Sequence, residues 1–110
     1  EKADEAIKSG NECATLRFGH DSHLIRLLAL MGIEGCGAEV TDVNEIEHHW
    51  QDFYISPMAA NLQMIFFRNK KGSVIVKFLH NENEVTLPIK NIGHCYYRWN
   101  DVKKYLTSKL

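Results

Sequence analysis

The chain has 110 residues, with 13 Lys and Arg against 14 Asp and Glu, a formal net charge of −1. That length allows one small domain, and near-neutrality without a basic face argues against DNA or RNA as a partner. The composition, 45% hydrophobic and 25% charged, is that of an ordinary soluble globular protein, and the longest apolar stretch, Leu27 to Ile33 interrupted by Gly32, is too short to span a bilayer.

The chain opens on Glu1, with no visible signal peptide, as expected of a mature product or a piece of a longer protein. Ala3, Ala6 and Ile7 lie at helical spacing, and Gly10 predicts the stop of that helix. Ala14–Phe18 reads as a short strand with Leu16 and Phe18 on one face, ended by Gly19. A helix follows from about His23 to Met31, capped by Asp21 or Ser22 and stopped by Gly32. Arg26 is the only certain charge on this helix, which is apolar nearly all round. Such a helix is normally buried on several sides, and so short a chain scarcely surrounds it. Part of the fold is therefore expected to come from outside these residues.

Asp42 with Glu45 resembles a capping box, and Val43, Ile46, Trp50 and Phe53 predict one face of a second helix. From Asn61 the period changes to two. Leu62–Phe67, Ser73–Leu79 and Val85–Leu87 predict an antiparallel meander, with turns at Asn69–Gly72 and His80–Glu84 and Pro88 limiting the last strand. Trp99, Val102, Tyr105 and Leu106 suggest a closing helix capped by Asn100. Cys13, Cys36 and Cys95 form no metal-type pair. One disulfide, such as Cys36 with Cys95, and three buried thiols are equally open readings.

Gly19-His20-Asp21 carries the chemistry of interest. It stands between a predicted strand and the N-terminus of a buried helix, where free N–H groups favour phosphate. There His20 can donate to a phosphoryl oxygen, and Asp21 can protonate a leaving alcohol. Taken alone, a His-Asp pair is more often a cap and an exposed imidazole. His23, one turn into the helix, suits the surface with substrate contact as the alternative. His48 and His49 diverge on their helix, so with Asp52 they suggest a solvated face rather than a metal site. His80 and His94 fall in predicted loops without a partner, and Glu82 and Glu84 in a solvated turn.

Leu16-Arg17-Phe18-Gly19-His20-Asp21-Ser22 and the leucine-rich helix after it resemble the C-terminal signature of histidine acid phosphatases. Pro57-Met58-Ala59-Ala60-Asn61-Leu62 resembles that family's loop into its next strand, and the meander and closing helix fit, so the resemblance runs from about Asp4 onward. It implies an α/β fold: a partial histidine-phosphatase-type domain over residues 1–110, with helices packed on a mixed sheet and a C-terminal antiparallel meander. It also implies a phosphomonoesterase, secreted or periplasmic, that works through a phosphohistidine without metal or other cofactor. Asp21 would be the proton donor, His20 a phosphate contact and His23 a substrate contact. The family's Arg-His-Gly nucleophile motif is absent from this sequence, so the chain alone is expected to be inactive. The remainder of the domain, or a second copy, would cover its apolar surface. The His-Asp form resembles bacterial phytases and glucose-1-phosphatases. The helix and meander resemble inositol-polyphosphate relatives, which leaves the ester open between inositol and sugar phosphates.

Two other classes compete. A non-catalytic α/β interaction module would use the apolar helix face for a partner. An HD-type metal-dependent phosphohydrolase would press His20, Asp21, His48 and Asp52 into metal ligation, but those enzymes are all-α.

Overall fold

A computed structural model describes residues 1–10 and 14–110. Its class is α/β: helices lie against a four-stranded sheet.

Helix α1, Lys2–Ser9, is stopped where expected. Gly10 takes the left-handed conformation at φ 72°, and its N–H bonds the Ala6 carbonyl at 3.2 Å. Helix α2, Asp21–Met31, begins before the predicted His23, with His20 as the extended N-cap residue. Its end is a Schellman motif. Gly32 N–H bonds Ala29 O and Ile33 N–H bonds Leu28 O, both at 3.1 Å, while Leu28 and Ile33 bury their side chains in the core. Gly32 sits at φ +70°, and a Cβ there would stand 2.8 Å from the Tyr105 hydroxyl and 3.0 Å from Pro88 Cγ. Gly32→Ala should therefore destabilise the chain by at least about 1–2 kcal/mol, from left-handed strain alone. A urea midpoint equal to that of the wild type would overturn that expectation.

The second predicted helix is broken. A 3₁₀ turn, Val43–Glu45, leads into α3, Ile46–His49, and after two extended residues α4 spans Asp52–Ile55. Trp50 and Gln51 both have φ near −138°. The break lets Trp50 and Ile55 both turn toward the core, whereas on one continuous helix residues five apart would point about 140° away from each other. Asp52 favours it, since its carboxylate accepts the adjacent Phe53 N–H at 2.8 Å instead of leaving the backbone to a continuous ladder. The Asp42 cap forms, but to Asn44 N–H at 3.0 Å rather than as a box with Glu45.

Strands β1, Leu62–Arg68, and β2, Val74–His80, pair antiparallel in a register running from Leu62↔His80 to Arg68↔Val74. The turn between them is held by Asn69, whose side-chain oxygen accepts from Lys71 and Ser73 N–H. Asn81 and Glu82 then both adopt positive φ, 49° and 69°. This is the two-residue connection whose twist matches a hairpin, and β3, Asn83–Glu84, pairs back onto β2. The strand expected at Val85–Leu87 is displaced: only Val85 N–H continues the pairing, to Phe78 O, and Leu87 N–H goes instead to the Tyr97 hydroxyl at 2.9 Å. Strand β4, Tyr96–Arg98, was not foreseen and occupies the other half of the same β2 edge. Helix α5, Trp99–Ser108, starts directly from it with Arg98, not Asn100, as N-cap. Every pairing among the described strands is antiparallel.

The core gathers Leu28, Met31, Ile33, Val76, Phe78, Tyr97 and Val102 around the centre of β2. The chain ends meet beside it. Asp4 of α1 accepts hydrogen bonds at 3.0 Å from Trp99 Nε1 and Lys103 Nζ of α5. Those bonds, from Lys103 first and then Trp99, hold the Asp4 carboxyl below its ordinary 3.8. A carboxylate lowered on folding contributes stability above its unfolded pKa and loses it as pH falls through the folded one. Acidification from about pH 6 to about pH 3 should therefore cost Asp4→Asn less stability than wild type. Parallel urea-midpoint curves for the two would show that the contact contributes nothing.

Cys36 and Cys95 are free thiols, so the Cys36–Cys95 disulfide considered from the sequence is not formed; Cys13 lies outside the described residues. Burial pushes both thiols up from their ordinary value, which leaves less thiolate for oxidation or alkylation.

Candidate functional site

The predicted strand Ala14–Phe18 pairs with none of the four strands. Its alternation is right for a half-buried strand, but no described sheet edge lies beside it to take its hydrogen bonds. Leu16 and Phe18 are consequently 76% and 93% exposed. The helix after it is covered on one side only. Leu28 and Met31 are buried and Leu24 and Ile25 half-buried, whereas Leu27 and Leu30 remain 44% and 47% exposed.

His20, Asp21 and His23 come together at the start of α2, all three exposed. The rings of His20 and His23 lie 6.1 Å apart, tilted by 45°. The Asp21 carboxylate accepts the N–H of Ser22 at 2.7 Å, and the His20 carbonyl takes those of His23 and Leu24 at 3.1 and 3.3 Å. Two imidazoles thus lie near a helix start, where partial positive charge favours an anion, and the Asp21 carboxylate accepts one of the free N–H groups there. The imidazoles can donate to phosphoryl oxygens, and a protonated Asp21 could deliver a proton beside them.

His48, His49 and Asp52 are exposed, and among the described residues no group of three His, Cys, Asp or Glu side chains is placed to hold a metal ion. The convergence of His20, Asp21, His48 and Asp52 that an HD-type enzyme needs is therefore not present. Nor, among the described residues, is any helix long and apolar enough to cross a membrane.

Sequence reasoning missed the role of His80. It ends β2 rather than lying in a loop, and its Nε2 is 2.6 Å from the Ile55 carbonyl, which also accepts from Asn81 Nδ2 at 3.2 Å. Asn81 Oδ1 further accepts Asn61 N–H at 3.0 Å. These contacts tie the Pro57–Ala60 loop at both ends, and no local pattern in the sequence announces them. Glu84 is exposed as expected, and it also forms an ion pair with Lys77 on the neighbouring strand, which holds the Glu84 carboxyl down and the Lys77 ammonium up.

Fold and site together define an α/β chain that presents a His-Asp pair at the N-terminus of a half-covered helix. No family model matches it, and no curated protein matches it significantly.

Proposed function

We propose that this chain is the C-terminal part of a histidine acid phosphatase, a secreted or periplasmic enzyme that hydrolyses phosphate monoesters of inositols or sugars. The observation that carries the reading is the exposed His20-Asp21 pair at the N-terminus of α2, within a segment that resembles that family's signature. The uncovered Leu16, Phe18, Leu27 and Leu30 support it, because they are apolar side chains left in water on the segment that carries the pair, as expected where a larger domain would bury them.

In this mechanism a histidine outside these residues attacks phosphorus while the ester P–O bond breaks. Asp21 gives its proton to the departing oxygen, so an alcohol leaves and a phosphohistidine remains. The Asp21 carboxylate then takes a proton from water, whose oxygen attacks phosphorus as the P–N bond breaks, and inorganic phosphate departs. His20 holds a phosphoryl oxygen through both steps, and His23 lies close enough to touch the substrate. No metal takes part.

The test is the coding sequence upstream of Glu1 and its full-length product. An Arg-His-Gly-x-Arg motif, with acid-trapped phosphohistidine during turnover of a sugar or inositol phosphate, is the expected result. A start codon immediately before Glu1, or turnover without a phosphoenzyme, would overturn the proposal.

A further inference from the structure

Between Arg26 and Arg68 the chain has no lysine or arginine, yet it carries Glu34, Glu39, Asp42, Glu45, Glu47 and Asp52. The same stretch leaves large apolar side chains in water on its short helical turns and the loop after them. Val43 is 77%, Phe53 60%, Tyr54 70% and Met58 99% exposed. The rings of Phe53 and Tyr54 meet at 4.6 Å. Tyr54 also joins His48, His49 and Trp50 around an open hollow of about 160 Å³, so α3 and α4 share one surface. Met58 follows on a loop held by His80 and Asn81 through Ile55 and Asn61, so its exposure belongs to an anchored segment.

Exposed aromatic and methionine side chains of this kind are what interface cores are made of. The charge around them selects the partner. Asp42, Glu45, Glu47 and Asp52 are all exposed in the same stretch as these apolar groups, and that stretch holds no lysine or arginine to neutralise them. They repel anionic lipid and nucleic acid and attract Lys and Arg. We infer that this surface docks a basic amphipathic segment of a partner protein, whose apolar side chains cover Phe53, Tyr54 and Met58 while its Lys and Arg lie against the acidic residues. The inference goes beyond the phosphatase reading and involves no phosphate chemistry; the full-length polypeptide should bind the same basic segment, and loss of binding there would give this surface to the rest of the domain instead.

A short amphipathic leucine–lysine peptide, titrated into the chain by calorimetry and followed through Trp50 fluorescence in a Trp99→Phe background, tests it. Binding should weaken as salt is raised, and the leucine–glutamate counterpart should not bind. A Phe53→Ser, Met58→Ser double variant and a Glu45→Gln, Glu47→Gln, Asp52→Asn triple variant should each lose about tenfold or more in affinity. Met58→Ser alone has no packing to lose, so it keeps the test alive should a multiple variant fail to fold. Equal binding of both peptides, or wild-type affinity in the variants, would overturn the proposal. So would binding of phosphatidylglycerol vesicles to the same surface. Reversible self-association of the chain that the same variants abolish would name a second copy as the occupant instead.

Discussion

In the full-length polypeptide, Asp21→Asn should slow hydrolysis of an alkyl phosphate ester by about 10²–10⁴-fold, the range that positioned proton transfer contributes. Asparagine keeps the shape and can still accept from Ser22 N–H, so the start of α2 should survive. It has no proton to deliver, so the defect should fall on kcat with KM little changed. It should also shrink for p-nitrophenyl phosphate, whose leaving oxygen needs little protonation. His20→Ala, by contrast, should lower kcat and raise KM together, because a phosphate contact acts on both ground and transition states. An Asp21→Asn enzyme with undiminished turnover on the alkyl ester would remove Asp21 from the mechanism.

Phe78→Ala should destabilise the isolated chain by about 3–5 kcal/mol, the usual cost of emptying a buried phenylalanine site. Phe78 is fully buried on β2, the strand that pairs with all three others, and its ring meets that of Tyr97 edge-on at 6.2 Å. A small domain is typically stable by only about 5–15 kcal/mol, so the variant should be unfolded or nearly so at moderate urea. The urea midpoint should fall with the slope unchanged. A loss under about 1 kcal/mol, typical of a surface position, would place Phe78 outside the cooperative core.

The features of this chain are read from its sequence with unequal ease. The His20-Asp21 pair was legible because it is contiguous, and the apolar helix after it correctly implied a face left uncovered. The His80 contact with Ile55 was not, because it joins residues 25 positions apart.

Stops and turns are settled between neighbouring residues. The stops at Gly10 and Gly32 follow from the left-handed conformation that glycine takes freely, and the Asn69–Gly72 turn from an asparagine that caps its own backbone. The β1–β2 hairpin follows from a period of two on both sides of that turn. Tertiary structure alone decided whether each apolar pattern found a partner. Ala14–Phe18 has a strand's alternation but no described edge to pair with, and it stays open. Tyr96–Arg98 is only three residues long, yet it becomes a strand because β2 offers it a free edge. The second helix breaks at Trp50–Gln51, which lets Trp50 pack against the core and Ile55 be buried in it. A strand's hydrogen bonds and a side chain's burial are both completed by residues distant in sequence, so no window along the chain contains them.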